Sequence, residues 1–352
     1  MSVLRAGIIG AGSISEFHTK GYLGNASAEL DAVCDIDAER AKTYAKTYGI
    51  PKVYSDYREL IADDDIDCVS VTTWNNSHAP ISIAALDGGK HVLCEKPLSI
   101  HAAEAKEMVE AEKRSGKLLM VGFVRRFEDA PNMLRDYIRA GRFGDIYYAK
   151  VGYVRKWGNP GGWFSDRSRS GGGPVIDLGV HVIDILRYMT GLPQAVSVSA
   201  STFEKLGMLP DILGRSKYMS HDYNPFNDVE DAATALIRFD NGMTLVFETS
   251  WTLHTKDDAN YVSFFGTSGG VNMEPEFELF GVENNYFTST KPSVERPANF
   301  FEIIFRREVD HFVDCIVNGT TCRCPAEDGL AIMRILDAIY ESARTGKEVE
   351  LT

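Results

Sequence analysis

The hydrophobic pattern of the first 123 residues alternates short apolar runs with helix-like segments. Segment 37–49 is one of these helices, in which Asp37 can cap the N-terminus and Gly49 can end the last turn, and segment 99–116 repeats that pattern. Strands and helices that alternate at this spacing predict a parallel sheet with helices on both faces. The apolar runs that we interpret as strands are residues 3–10, 30–35, 68–73, 91–95 and 118–123.

The pattern changes after residue 123. A helix-like segment, 127–140, leads into a long β-type run at 145–157, and two helices are predicted at about 302–317 and 326–345. Between the β-type run and the first of these helices, the dipeptide Asn241-Gly242 separates two runs of alternating apolar and polar residues, which is a strong hairpin signal. We therefore predict an α/β chain with a parallel-sheet domain at 1–123 and a second, mostly antiparallel α/β domain at 124–352.

Length, charge and cysteine content narrow the class of protein. A chain of 352 residues favours two domains, and a formal net charge of −13 argues against a nucleic-acid partner. An apolar stretch long enough to cross a membrane is absent, and the first strand begins where a signal peptide would lie, so we expect a cytoplasmic protein. The cysteines are scattered along the sequence, which favours reduced thiols over a disulfide framework. The pair Cys322-Arg-Cys324 could bind a metal or act in redox chemistry, but no nearby histidine completes a site in the sequence, and we expect no metal.

A glycine-rich turn follows the first predicted strand. Residues 7–15 read GIIGAGSIS, in which Gly10 permits a tight turn and Gly12 lets a pyrophosphate approach the helix N-terminus. Ser15 stands where a third glycine is usual. Asp35 ends the second strand about 20 residues later, where an acid binds the adenosine ribose. The residues expected to hold the pyrophosphate are Gly10, Gly12, Ser13 and Ile14.

The carboxylate at Asp35 also bears on cofactor choice. It would repel the additional phosphate of NADP, so we expect NAD, with NADP less favoured. Arg40 is the nearby cation that could weaken this preference.

Two further strand ends carry polar residues at the same sheet edge. Residues 91–98 read HVLCEKPL, and Pro97 ends the strand and should hold Lys96 at the mouth of the crevice, next to Glu95. We expect both Glu95 and Lys96 to contact the cofactor. One strand earlier, TTWNNSH supplies Asn75 and His78, which suit a cofactor's ribose and carboxamide.

The stretch GGGPVIDLGVH, residues 171–181, places a carboxylate and an imidazole four residues apart in an apolar segment. On a helix, Asp177 and His181 leave the same face about one turn apart. Two interpretations are open from these residues alone: a buried ion pair in a core helix, or a catalytic pair.

Gly10-Ala-Gly12, Asp35, Glu95-Lys96-Pro97 and Asp177-x-x-x-His181 occur in the order and rough spacing of one family. The chain resembles the Gfo/Idh/MocA oxidoreductases, the group of glucose–fructose oxidoreductase and inositol 2-dehydrogenase. The resemblance implies a Rossmann domain followed by an α/β domain with an open, mostly antiparallel sheet. It also implies a homodimer or homotetramer that assembles through that sheet.

The resemblance assigns Lys96, Asp177 and His181 as the catalytic group. Asn75 and His78 match a family segment that lines the cofactor, although Trp74 replaces its usual proline. Arg126 matches an arginine that borders the active site in the family.

The expected activity is hydride transfer between a secondary hydroxyl of a sugar or cyclitol and NAD. One alternative is an NAD-retaining glycosidase that works by transient oxidation and elimination, and another is a non-catalytic NAD-binding sensor. Trp163 could stack on a sugar ring. Polar residues of the 207–228 loop are further candidates for substrate contact: Tyr218, His221, Asp222 and Tyr223.

Overall fold

The computed structural model describes residues 3–207, 219–220, 222–224 and 226–351. The chain divides into two compact units. Unit 1 comprises Met1–Phe127 and Arg296–Leu330, and unit 2 comprises Glu128–Glu295 and Ala331–Thr352.

Unit 1 contains a six-stranded parallel sheet in the order β3-β2-β1-β4-β5-β6. This is the doubly wound order of a dinucleotide-binding fold. The five predicted strands are all present. The sixth, β3, is a three-residue edge strand that is too short for a periodicity signal. The strands are β1 (Leu4–Ile9), β2 (Ala28–Cys34), β3 (Lys52–Tyr54), β4 (Cys68–Val71), β5 (His91–Glu95) and β6 (Leu119–Gly122).

Unit 2 contains a nine-stranded sheet in the order β14-β13-β12-β11-β7-β10-β9-β8-β15. Its pairings are antiparallel except for β7 with β10, so the predicted, mostly antiparallel sheet is confirmed. The hairpin predicted at Asn241-Gly242 joins β9 to β10. The strands are β7 (Ile146–Val154), β8 (Ala195–Phe203), β9 (Ala232–Phe239), β10 (Thr244–Ser250), β11 (Ala259–Gly266), β12 (Gly270–Glu274), β13 (Glu278–Glu283), β14 (Tyr286–Thr290) and β15 (Val349–Glu350).

The helices begin and end close to the predicted positions. Asp37 caps α2 by accepting from the N–H groups of Glu39 and Arg40, and Gly49 ends it in the left-handed conformation, as predicted. The helices are α1 (Ser15–Leu23), α2 (Ala38–Tyr48), α3 (Tyr57–Ile61), α4 (Asn75–Asp87), α5 (Ala102–Ser115), α6 (Asp129–Arg139), α7 (Arg167–Ser170), α8 (Val180–Met189), α9 (Phe300–Asn318) and α10 (Ala326–Thr345). Short 3₁₀ turns occupy Val124–Phe127 and Gly162–Ser165, and a π-helical turn occupies Val175–Gly179.

The division of the chain differs from the predicted domains because α9 returns to unit 1. The Phe305 ring of α9 stacks on Phe17 of α1 with the ring centroids 4.7 Å apart. Asn25 donates to Asp310 over 2.6 Å, which adds a polar contact to the same packing. Residues 296–330 therefore belong with the parallel sheet, although the sequence pattern placed everything after residue 123 in the second domain.

Two predicted properties of the chain bear on its environment. The cysteines are all free, and Cys34, Cys68 and Cys94 are buried in the sheet of unit 1. Within the described ranges, none of the helices combines the length and the apolar character needed to traverse a bilayer.

Candidate active site

The turn between β1 and α1 has the geometry of a phosphate-binding loop. Gly10 has a φ of +99°, and a Cβ there would lie 2.7 Å from the Thr72 carbonyl oxygen, so a side chain is excluded. The Gly10 N–H donates to the Cys34 carbonyl over 2.8 Å, which holds the turn against β2. The predicted tight turn at Gly10 is therefore present.

The surroundings of Gly12 and of the start of α1 show whether a dinucleotide fits at this turn. A Cβ built on Gly12 would meet no atom within 4 Å, so open space lies beside this backbone. Helix α1 begins without a side-chain cap, which leaves N–H groups at its N-terminus for an anion. The buried Ser15 donates its hydroxyl to the Gly12 carbonyl over 2.6 Å and fits where a third glycine is usual. The residues present fit a bound pyrophosphate.

Asp35 at the end of β2 is tied to the same turn. Its Oδ2 accepts from the Ala11 N–H over 2.9 Å, and its Oδ1 accepts from the Asp37 N–H over 2.9 Å. Arg40 lies 3.6 Å from Oδ2. The carboxylate is thus fixed beside the glycine turn, where an acid that binds a ribose is expected.

Glu95 faces the interior of unit 1. Its Oε1 lies 2.9 Å from the Nε2 of His18 on α1, and its Oε2 accepts from the Lys96 N–H over 3.1 Å. Burial alone would raise the pKa of Glu95, but the hydrogen bond and charge of His18 outweigh it, so the pKa lies below its usual value. We predicted a cofactor contact for Glu95. Because the protein itself binds both carboxylate oxygens, we assign Glu95 a supporting role behind Lys96.

His78 also supports the segment that follows Lys96. The side chain is buried, with Nδ1 2.7 Å from the Pro97 carbonyl and Nε2 3.2 Å from the Thr73 carbonyl. Burial lowers the pKa of His78, which favours the neutral ring. Asn75, the first residue of α4, is buried as well. A neutral ring carries one N–H and donates to only one of these two carbonyls, so His78 supports the segment after Lys96, and its contact with the cofactor stays a prediction.

Arg126 does not have the setting that the sequence predicted. Its side chain is 0% exposed, and its guanidinium donates to Asp328 over 2.6 Å and to the Arg323 carbonyl over 2.7 Å. The guanidinium also lies over the Phe123 ring, 4.9 Å from its centroid. A buried arginine with these partners stabilises the packing of unit 1, and its place at the border of the active site stays a prediction.

Asp177 and His181 are not sealed in a core. Between residues 171 and 189, these two side chains are the ones that stay partly exposed, and every other residue is buried. Asp177 lies in the π-helical turn 175–179, and His181 lies in the first turn of α8. The sequence predicted one continuous α-helix. Instead, the helix widens into a π-helical turn at Asp177, a distortion that is common at functional sites. The exposure favours the catalytic interpretation over the buried ion pair.

An aromatic cluster of unit 2 reaches Asp177. Trp251 is 1% exposed and donates its indole N–H to Asp177 Oδ2 over 3.1 Å. The Phe164 ring meets Trp251 edge-on, and the half-buried Trp163 stacks on Phe164 with the centroids 3.9 Å apart. Trp163, predicted as a substrate contact, is thereby connected to the carboxylate through two aromatic contacts. We did not predict Trp251, because its partner is 74 positions away along the chain.

The glycines before Asp177 are required for close packing. A Cβ on Gly172 would lie 1.9 Å from the Tyr340 hydroxyl, and one on Gly173 would lie 2.3 Å from the Glu230 carbonyl oxygen. Glu230 Oε1 accepts from the Gly173 N–H, from the Val175 N–H and from the Tyr340 hydroxyl, over 3.0, 3.1 and 2.8 Å. This segment is buried and held by a single carboxylate.

The polar loop predicted at 207–228 is described in part. Tyr218 and His221 lie outside the described residues. Asp222 accepts from the Trp163 N–H over 3.4 Å, and Arg169 lies 3.7 Å from its second oxygen. Asp222 therefore supports the backbone that carries Trp163.

Two clusters in unit 1 bring together the residue types that bind metals. Within the described ranges, one consists of His18, Glu95 and Glu308, and the other of His311, Cys315 and Cys322. The second corrects the expectation that Cys322 has no histidine nearby, because the turn after α9 brings His311 to it. The sequence spacing of His311 and Cys315, four residues apart on one helix, was the available signal.

The comparisons with known proteins agree with this geometry. Residues 4–123 match the model of the Gfo/Idh/MocA oxidoreductase family with an NAD-binding Rossmann fold, and residues 132–272 match the family's C-terminal domain. The chain is 32% identical over 353 residues to D-glucoside 3-dehydrogenase of Escherichia coli, covering 99% of this chain and 98% of that protein. The chain belongs to the Gfo/Idh/MocA family.

Other members support the same assignment. Levoglucosan dehydrogenase of Pseudarthrobacter phenanthrenivorans is 32% identical over 380 residues, which cover 97% of each chain. A solved structure of levoglucosan dehydrogenase in complex with NADH superposes with a TM-score of 0.86 at 26% identity and covers 100% of both chains. As a Gfo/Idh/MocA protein, the chain is an oxidoreductase with an NAD-binding Rossmann domain, and the glycine turn and Asp35 are the residues that fit NAD. Both of these relatives are dehydrogenases, which lends no support to the glycosidase alternative.

Proposed function

We propose that this protein is an NAD-dependent dehydrogenase that oxidises a secondary hydroxyl of a sugar or cyclitol. The observation that carries the proposal is the partial exposure of Asp177 and His181 in an otherwise buried segment, with Asp177 held by Trp251. A carboxylate and an imidazole that remain accessible suit proton transfer. The names of the relatives, a glucoside dehydrogenase and a levoglucosan dehydrogenase, support a carbohydrate substrate.

We assign the catalytic roles to Lys96, Asp177 and His181. His181 takes the proton of the substrate hydroxyl, because imidazole titrates nearest to neutral pH. Asp177 orients that imidazole and stabilises the cation that forms. Lys96 donates a hydrogen bond to the reacting oxygen and stabilises its developing negative charge. NAD, when bound, supplies the acceptor for the hydride.

The cofactor would be held by the turn between β1 and α1 and by the end of β2. Gly10, Gly12, Ser13 and Ile14 provide backbone for the pyrophosphate, and Asp35 accepts from the ribose hydroxyls. Asn75, at the start of α4, is a further candidate for a cofactor contact, as are His78 and Lys96. On the substrate side, Trp163 provides an apolar ring face for a pyranose or cyclitol ring.

We also propose that the protein is a homo-oligomer that assembles through the sheet of unit 2. One face of this sheet is buried by residues such as Val151 and Phe247. The large apolar residues that alternate with them point to the opposite face and are at least partly exposed. An apolar patch of this kind is typical of an interface. Its members are Tyr148, Leu236, Val246, Tyr261 and Phe265.

The proposal is tested by following nicotinamide absorbance with a panel of glucosides, anhydro sugars, free aldoses and inositols, each with NAD and with NADP. We expect substrate-dependent NADH formation, and a loss of kcat/KM of about 10² to 10⁴ in His181→Ala, the range typical of a general base. His254→Ala is the matched control, since His254 is an exposed histidine of the same unit. Unchanged turnover in His181→Ala would refute the assigned base. Cleavage of an aryl glycoside without net NADH would refute the dehydrogenase.

A further inference from the structure

Three reactive side chains of unit 1, none of them a proposed catalytic residue, meet near the end of α9. The Cys315 sulfur lies 3.4 Å from the Nε2 of His311. One ligand atom each from His311, Cys315 and Cys322 lies within 4.8 Å of the other two. All three residues are partly exposed, whereas Cys34, Cys68 and Cys94 are buried.

The local fold explains why these residues meet. His311 and Cys315 are four positions apart and share one face of α9. Gly319 ends the helix with a φ of +70°, and the chain turns back along the last helical turn. The Arg323 N–H donates to His311 Nε2 over 2.8 Å, which fixes the returning segment with Cys322 beside Cys315.

The pKa values of the Cys315 and Cys322 thiols shift in opposite directions. The neighbouring Cys322 thiol, as a donor to the Cys315 thiolate, is the main cause that lowers the pKa of Cys315, and burial opposes it. The same interaction, together with burial, raises the pKa of Cys322. Cys315 is therefore the nucleophilic sulfur, because the thiolate is the form that reacts, and Cys322 remains a thiol next to it.

We propose that Cys315 and Cys322 form a reactive dithiol that hydroperoxides oxidise to an intramolecular disulfide. The Cys315 thiolate attacks the terminal oxygen of the hydroperoxide, whose O–O bond breaks, and yields a sulfenic acid and, after protonation, an alcohol or water. The Cys322 sulfur then attacks the Cys315 sulfur, an S–S bond forms, and hydroxide leaves and takes up the Cys322 proton as water. In sum, two thiols and one hydroperoxide give one disulfide, one alcohol (or water) and one water.

A metal site at the same three residues is less consistent with the geometry. A metal such as Zn²⁺ needs a lone pair on a ring nitrogen of His311, and the lone pair of Nε2 already accepts the Arg323 N–H. Metal binding would leave this amide without its acceptor. The two sulfurs, in contrast, lie within 4.8 Å of each other, and a disulfide between them needs no lone pair of His311.

The first experiment treats the full-length reduced protein with limiting hydrogen peroxide and maps the products by mass spectrometry. We expect a Cys315–Cys322 disulfide while Cys34, Cys68 and Cys94 stay reduced. In Cys322→Ser, the Cys315 sulfenic acid should accumulate and be trapped by dimedone, and in Cys315→Ser, Cys322 should stay reduced. Oxidation of the buried cysteines at a similar rate, or no disulfide in the wild type, would overturn the proposal.

The second experiment compares alkylation rates and zinc binding. Iodoacetamide should modify Cys315 about tenfold faster than Cys322 at neutral pH, because the thiolate fraction decides the rate. Equal rates at the two sulfurs would count against the dithiol. Stoichiometric Zn²⁺ binding that is lost in both His311→Gln and Cys315→Ser, measured with a chromophoric metal indicator, would replace the dithiol by a metal site.

Discussion

The indole N–H of Trp251 is bonded to the Oδ2 of Asp177 over 3.1 Å. Trp251 follows β10, and Asp177 lies in the π-helical turn before α8, so the bond joins the sheet of unit 2 to the segment that carries His181. Trp251 packs with Leu178 and Val229 in the core, and only its N–H points to the carboxylate. The sheet thereby fixes the orientation of one carboxylate oxygen.

Replacement of Trp251 by phenylalanine tests this relationship. The ring still fills most of the core space, but Asp177 loses a donor, and a hydrogen bond to a charged group contributes about 1.5–3 kcal/mol. We expect kcat for the sugar substrate to fall about tenfold or more, with the KM for NAD unchanged, in steady-state kinetics. Tyr188→Phe is the control, because it removes a buried hydroxyl on α8 that bonds to Asn132. Equal losses of kcat in the two variants would show that Trp251 acts only through stability.

Asp35 is expected to select the cofactor. Asp35→Ser removes the carboxylate that repels a 2′-phosphate and leaves Arg40 free to meet it, since Arg40 lies 3.6 Å from Asp35 in the wild type. We expect the KM for NAD to rise about tenfold and the KM for NADP to fall, so that the ratio of kcat/KM values shifts toward NADP. Thr43→Ser on α2 is a control outside the turn. An unchanged NAD to NADP ratio in Asp35→Ser would contradict a ribose contact at this residue.

Tyr340 supports the glycine segment through Glu230. Its hydroxyl donates to Glu230 Oε1 over 2.8 Å, and burial raises the pKa of both groups. In Tyr340→Phe, Glu230 keeps the Gly173 and Val175 donors, so we expect a loss of about 1 kcal/mol in the free energy of unfolding. Glu230→Leu removes the acceptor of all three donors and should cost about 2–4 kcal/mol. Chemical denaturation measures whether Glu230→Leu loses more stability than Tyr340→Phe. An equal loss in both variants would contradict the role of Glu230 as the shared acceptor.

The raised pKa of Glu112 predicts that the free energy of unfolding depends on pH. Burial raises its pKa to about 7, the Leu119 N–H opposes the shift, and Glu327 adds to it. Because the folded pKa lies above the unfolded value of 4.5, the stability that the neutral carboxyl contributes is complete below pH 4.5 and is lost as the pH rises to about 7.

Glu112→Gln stays neutral at every pH and keeps an oxygen that can accept from Leu119. We expect no gain in the apparent melting temperature at pH 4.5 and a gain at pH 8 that corresponds to about 1 kcal/mol, a value reduced for partial solvent exposure. Differential scanning fluorimetry across this range measures it. Glu110→Gln, at an exposed position of the same helix, should show no pH-dependent difference. A gain for Glu112→Gln that is the same at both pH values would contradict the raised pKa.

Much of the fold followed from local sequence. The alternation of strands and helices, the cap at Asp37, the left-handed glycine at Gly49 and the hairpin at Asn241-Gly242 were all predictable, because each depends on residues within one turn or strand. The glycine turn and Asp35 were predictable for the same reason. They belong to one β1-α1-β2 unit, and the parallel pairing of its two strands places Asp35 beside the turn without help from the rest of the chain.

The tertiary structure decided which polar groups pair with one another and which stay exposed. The sequence offered two interpretations of Asp177 and His181, and only the packing of unit 2 leaves this pair partly exposed and supplies Trp251 as a donor. It turned Arg126 into a buried ion pair with Asp328 and brought His311 to Cys322. These contacts join positions that are distant along the chain or separated by a turn, so no local periodicity encodes them. They form because buried polar groups must find partners once the apolar faces have packed.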